Sequence, residues 1–171
     1  MKRTTTSIKH LGIDISKKDF HVALVTDETS KSIPQKTFPN TSAGFKSLVK
    51  WLEDKKDSTL PLHACLEATG SYGDALSYFL NSKVYKLSVV NPRAIKAYGD
   101  SDLRRYKSDS ADARLIANYC MIKKPAAWNE PTPEQRHVKE LSRRISHLKT
   151  MLRKELNRLE VTHDKLVAKD L

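Results

Sequence analysis

A chain of 171 residues, 39% of them hydrophobic, suits one globular domain plus an appendage, or two small domains, and supports one sizeable core. Its 31 Lys and Arg against 20 Asp and Glu leave a net charge of +11, which fixes no fold but attracts polyanions in a salt-sensitive way. The apolar runs are too short to span a bilayer, the N-terminal MKRTTTSIKH has no signal-type apolar core, and Cys65 and Cys120 have neither CxxC spacing nor a flanking histidine at ligand spacing, which argues against a membrane protein, a disulfide staple and a zinc site.

The first 120 or so residues alternate strand and helix signals. Ile8 to Ile15 is a short apolar run, and Phe20 to Thr26 follows across Ser-Lys-Lys-Asp, a hairpin connection. A third strand at Gln35–Phe38 completes a meander closed by Pro39-Asn40. Thr41 or Ser42 then caps a helix with Phe45, Leu48, Val49 and Leu52 on one face. Leu62–Leu66 reads as a buried strand, Ser71 to Leu80 as a helix striped by Tyr72, Leu76 and Phe79, and Lys86–Val90 as a strand ended by Asn91-Pro92. A helix runs from Asp109 through Ala113, Leu115, Ile116 and Tyr119. The order β-β-β-α-β-α-β-α predicts an α/β domain over 1–124 with a mixed sheet flanked by helices.

The segment 125–133 carries three prolines and reads as a linker or extended arm. Beyond it, over 134–171, Val138, Leu141, Ile145, Leu148 and Leu152 step by threes and fours in a heptad pattern, and Leu156, Leu159 and Leu166 continue it in a slipped register. A basic coiled-coil helix of this kind cannot bury its stripe alone, so a homo-oligomer is expected. No capping signal marks the end at Leu171, which reads as a truncation ahead of a further domain.

Four acidic residues interrupt this pattern. Asp14 ends the first strand in Leu-Gly-Ile-Asp-Ile-Ser-Lys, where it either opens a turn or lines a site. Glu67 ends the core-like Ala64-Cys65-Leu66, so it is paired or holds something cationic. Asp109 and Asp112 lie three apart at a helix start, on one face, where they also suit the helix dipole. Together they form an all-oxygen set of the kind Mg²⁺ or Mn²⁺ requires. Two such ions side by side activate a nucleophile and stabilise a leaving phosphodiester oxygen.

The strings GIDISKKDFHVAL, CLEATGSYGDALSYFL, VVNPRAIKAY and RRYKSDSADARLIANY resemble the DEDD transposases of insertion sequences, a family related to the Piv and MooV DNA invertases that includes the bridge-RNA-guided recombinases. The likeness covers residues 8 to about 160. It implies an RNase H-like (RuvC-like) fold, a metal-binding catalytic tetrad of Asp14, Glu67, Asp109 and Asp112, DNA as substrate, a structured guide RNA as partner, and a bacterial cytoplasmic setting. It also implies a C-terminal domain supplying a serine nucleophile, for which Ser142 and Ser146 within the heptad helix are poor substitutes. The readings competing with a transposase are a stand-alone RuvC-like nuclease or junction resolvase, and a non-catalytic nucleic-acid-binding and dimerisation fragment.

Between Lys83 and Lys124 ten basic residues face four acidic ones. Arg104, Arg105 and Lys107 directly precede the acidic pair, where they could hold a phosphate backbone. Lys17, Arg93 and Lys96 join them as candidate nucleic-acid contacts, as do Arg143 and Arg144, part of a basic rail along the heptad helix. Tyr72 and Tyr98 at helical spacing read as core more than as base-stacking residues, and His10, His21 and His63 as edge or core histidines.

Overall fold

The computed structural model describes residues 8–26, 33–55, 60–68, 70–83, 85–101 and 109–161, with backbone alone for 109–111. Strands β1 (Lys9–Ile15), β2 (Asp19–Val25) and β3 (Gln35–Pro39) are followed by helix α1 (Ser42–Glu53), strand β4 (Leu62–Glu67), helix α2 (Asp74–Ser82), strand β5 (Lys86–Val90) and helices α3 (Pro92–Ser101), α4 (Asp109–Lys123) and α5 (Pro133–Val161). The five strands form one sheet in the order β3-β2-β1-β4-β5. Its first three strands are antiparallel, while β1-β4 and β4-β5 are parallel. This is the mixed, helix-flanked sheet that the sequence led us to expect.

Both faces of the sheet are covered, so β1 at its centre is buried along nearly its whole length rather than in alternation. Leu11, Ile13 and Ile15 point into the larger core, with Phe20, Val22 and Leu66, under the Phe45, Leu48, Trp51 and Leu52 stripe of α1 and under Leu76 and Leu80 of α2. Thr41 caps α1 by accepting from the Gly44 amide at 3.3 Å. The opposite face is smaller: Cys65 and Val90 meet Ile95, Ile116 and Cys120, and Ala23 and Val25 meet Ala113 and Ala117.

One glycine sets the distance between α4 and the sheet. A Cβ on Gly12 would collide with the backbone of Ala113 and Ala117, so α4 lies directly on β1, closer than any side chain permits.

The details depart from expectation in three places. Helix α2 begins at Asp74 rather than Ser71, and Tyr72, expected on its buried stripe, is exposed in the preceding turn. Trp51 joins the core face of α1, where Val49 is half-buried. Helix α3 was not anticipated; Asn91 caps it by accepting from the Arg93 amide, with Pro92 at the first helical position.

The chain divides into two compact units, 1–129 and 130–171. Residues up to Asn129 belong to the first because the Trp128 amide donates to the Leu87 carbonyl at 2.7 Å and its indole packs edge-on against Tyr78. The second unit contains α5, none of whose described residues is buried. Among the described residues no helix is long and apolar enough to cross a membrane.

Candidate active site

The pairing of Ile13 with Leu66 sets the parallel strands β1 and β4 in register, so the next residues, Asp14 and Glu67, end the two strands side by side. Side chains alternate across a sheet. The odd residues of β1 enter the larger core, and His10, Gly12 and Asp14 therefore face α4, as do His63, Cys65 and Glu67 of β4. Helix α4 runs against the direction of β1. Ala113 and Ala117 cross Gly12, and one turn later the Cys120 thiol donates to the His63 carbonyl at 3.6 Å. The start of α4 thus lies over the strand ends that carry Asp14 and Glu67. Asp112 is in its first turns and Asp109 opens it one turn earlier, though the Asp109 side chain lies outside the described residues.

The electrostatics of Glu67 record this convergence. Its carboxyl is pushed above the ordinary glutamate value, first by burial, then by the charges of Asp14 and Asp112. One helix and two strands, far apart in sequence, bring their carboxylates within each other's field. They are not drawn tightly together: among the described residues, the one trio of His, Cys, Asp or Glu ligand atoms within 4.8 Å of one another is His10, His63 and Cys120, towards the other end of α4. Like charges hold carboxylates apart, and a cation between them removes that repulsion.

Loops around the strand ends are tied down by polar contacts. Ser16 hydroxyl donates to the Asp19 carboxylate at 2.6 Å and closes the β1–β2 turn. The Asn40 side-chain amide donates to the carbonyls of Ser16 and Tyr72, which links that turn to the one leading into α2. Gly70, three residues after Glu67, takes a left-handed φ of 62°, which a residue with a Cβ adopts only with strain. Lys17 is exposed at the tip of the first turn, and Arg93 and Lys96 are exposed on α3. Arg104, Arg105 and Lys107 lie outside the described residues. On α5, Arg143 pairs with Glu140 at 2.6 Å while Arg144 is exposed.

One neighbour of the carboxylates escaped the sequence reading. His21 is the cross-strand partner of Asp14 on the same face, its Nδ1 hydrogen-bonded to the Thr37 hydroxyl at 2.9 Å. Only the hairpin register reveals it. Tyr98 packs edge-on against Tyr119, which favours the core role over base stacking.

Residues 11–166 match the transposase family DEDD_Tnp_IS110. The chain belongs to that family. The pilin gene-inverting proteins of Moraxella lacunata and Moraxella bovis are each 34% identical to this transposase-family chain over 151 residues, 88% of its length and 46% of theirs. It therefore spans about half the length of these curated relatives. Similar solved structures include a Fowlpox virus resolvase in complex with Holliday junction DNA (TM-score 0.43, 20% identity, 69% of this chain and 98% of that one). Another is RuvC of Thermus thermophilus (TM-score 0.47, 12% identity, 70% of this chain and 99% of that one).

Proposed function

We propose that this chain is the metal-dependent catalytic half of a DNA transposase or recombinase, acting on phosphodiester bonds during insertion-sequence transposition. The observation that carries the reading is the meeting of Asp14, Glu67 and Asp112 at one end of the sheet, with Glu67 raised first by burial and then by the other two charges. Membership in the DEDD_Tnp_IS110 family supports it. Asp109, one turn before Asp112, completes the donor set.

The residues fit Mg²⁺ or Mn²⁺, two ions being expected. All four donors are carboxylates, hard oxygen ligands, and the field that disfavours ionised Glu67 is the field a divalent cation would neutralise. When bound, the ions supply Lewis acidity to the scissile phosphate and lower the pKa of a bound nucleophile. The protein's own contribution is position. Gly12 lets α4 sit against β1, which sets Asp112 over Asp14, and the Asn40 contacts hold the surrounding turns. Lys17, Arg93, Lys96, Arg104, Arg105 and Lys107 would neutralise phosphates, which orients the duplex without reading its sequence.

Strand exchange through a covalent protein–DNA intermediate needs a protein nucleophile that holds the broken end. In the family likeness, that is a serine from a further domain, and RNA guidance rests on the same likeness to bridge-RNA-guided recombinases. We also propose that α5 pairs two or more chains, because Val138, Leu141, Ile145, Leu148 and Leu152 are each about half exposed or more along one helix. That the chain covers 46% of its relatives favours a second reading, in which it binds nucleic acid and oligomerises but cleaves only when joined to the remainder.

The two readings separate in one assay. The purified chain is incubated with branched duplex DNA and Mg²⁺, beside the Asp14→Asn variant. Nicking by the chain and none by the variant supports the enzyme. Binding without nicking supports the second reading. In both, affinity falls roughly a thousandfold between about 50 and 200 mM salt if six phosphates are engaged, and Arg104→Ala with Arg105→Ala weakens binding evenly across sequences. Salt-independent binding contradicts both.

A further inference from the structure

The end of the α4-facing surface away from the carboxylates holds a different cluster. His10 and His63 are register partners on β1 and β4, both buried, with ring centroids 5.9 Å apart. Cys120 of α4 is fully buried above them, and one ligand atom from each of the three lies within 4.8 Å of the others. Cys65, two residues after His63 on the same face, packs in the same small cluster as Cys120, and its proximity and burial push the Cys120 thiol well up from its ordinary value. From sequence these residues read as unremarkable core positions; the fold brings them to one point.

The hydrogen bonding around the histidines decides what they can offer. Ser88 has one hydroxyl proton, and it is donated to the Ala126 carbonyl at 2.7 Å, with the Pro125 carbonyl at 3.2 Å. Carbonyls only accept. The contact of 2.8 Å between Ser88 Oγ and His63 Nε2 must therefore run from nitrogen to oxygen. His63 Nε2 thus carries the proton and Nδ1 keeps its lone pair. His10 Nδ1 is buried with no hydrogen-bond partner at all, on a residue only 7% exposed. A buried polar atom left unpaired forfeits its hydration for nothing, and an aliphatic side chain at this place in β1 would cost less.

Both rings are also held neutral. Burial lowers His63 to about 4 and shifts His10 in the same direction, with Lys86 adding to both and Lys124 to His10. Neutral imidazole is the ligating form.

We propose that His10, His63 and Cys120 form a buried Zn²⁺ site. Two imidazole nitrogens with thiolate sulfur are the borderline-soft set that zinc takes, and they suit Mg²⁺ and Mn²⁺ poorly. Zn–N bonds of about 2.1 Å and Zn–S bonds of about 2.3 Å put tetrahedral donors about 3.5 Å apart, so the cluster closes by roughly 1 Å of side-chain rotation. Each cysteine that ligates loses its thiol proton to the buffer. The Ser88 contact then holds the His63 ring from the side away from the metal, as outer hydrogen bonds do at zinc histidines. The site joins β1, β4 and α4 and is built from residues that the carboxylate site does not use. Its role is to fix the helix whose other end carries Asp109 and Asp112.

The test uses Co²⁺ as a spectroscopic stand-in for Zn²⁺ in the full chain. Expected are a thiolate-to-metal charge-transfer band that saturates at one equivalent of Co²⁺ and is displaced by Zn²⁺, and a melting temperature raised by Zn²⁺ over EDTA. Cys120→Ser and His10→Gln should lose the band and the melting shift while keeping the far-ultraviolet circular dichroism of the folded chain. Asp112→Asn should keep both. A wild-type chain that folds but shows no charge-transfer band with Co²⁺ overturns the site whatever the variants do. So does a band unchanged in Cys120→Ser.

Discussion

The Glu67 carboxyl carries a raised pKa because burial and the charges of Asp14 and Asp112 all oppose its ionisation. A raised folded value means the folded chain holds a proton that the unfolded chain has released. Stability from this group is therefore complete below the ordinary glutamate value and is lost as pH rises through the folded value. In EDTA, Glu67→Gln should flatten that part of the pH–stability profile and melt higher than wild type at neutral pH. Thermal melting across pH checks this; a variant less stable than wild type at neutral pH would contradict it. Gly12 makes the opposite kind of demand. A Cβ there meets backbone of α4, which cannot rotate away as a side chain could. Gly12→Ala should cost about 3 kcal/mol, the upper end for overpacking, read as a lower urea midpoint. At this scale the sequence was informative where a charge broke an apolar strand, as at Asp14 and Glu67. It read His10, His21 and His63 only as edge or core histidines, because nothing local says which strands pair or which helix lies above them.

Among the elements, the strands were legible from short apolar runs bounded by turn residues, and α1 from its cap and apolar spacing. Helix α3 was overlooked because its ten residues bury only Ile95, leaving little periodicity to read, although Asn91-Pro92 is a start signal. Helix α2 begins late because Ser71 to Gly73 form a turn, fixed in part by the Asn40 contact to the Tyr72 carbonyl. Helix α5 was plain in sequence, and its apolar stripe is exposed throughout the described part, with Leu152 60% and Ile145 53% accessible. An unpartnered stripe of that length predicts association. The full chain should scatter light as a dimer or larger at tens of micromolar, and Ile145→Glu with Leu152→Glu should be monomeric with unchanged helix content. A monomeric wild type at that concentration would contradict the coiled-coil reading.

At the scale of the whole molecule, the two faces of the sheet divide the labour. One carries the apolar core under α1 and α2. The other is thin because α4 lies close against β1, and at the strand ends it exposes carboxylates rather than burying hydrocarbon. The net charge of +11 attracts nucleic acid, and at the carboxylates a bound cation would relieve the local repulsion. The central claim is that Asp14, Glu67, Asp109 and Asp112 are a divalent-metal site. Its most direct test is calorimetric titration of Mn²⁺ into the DNA-free chain and into Asp14→Asn and Asp112→Asn. The account predicts saturable binding by the wild type and loss of that binding in each variant. Equal binding by all three chains would contradict it.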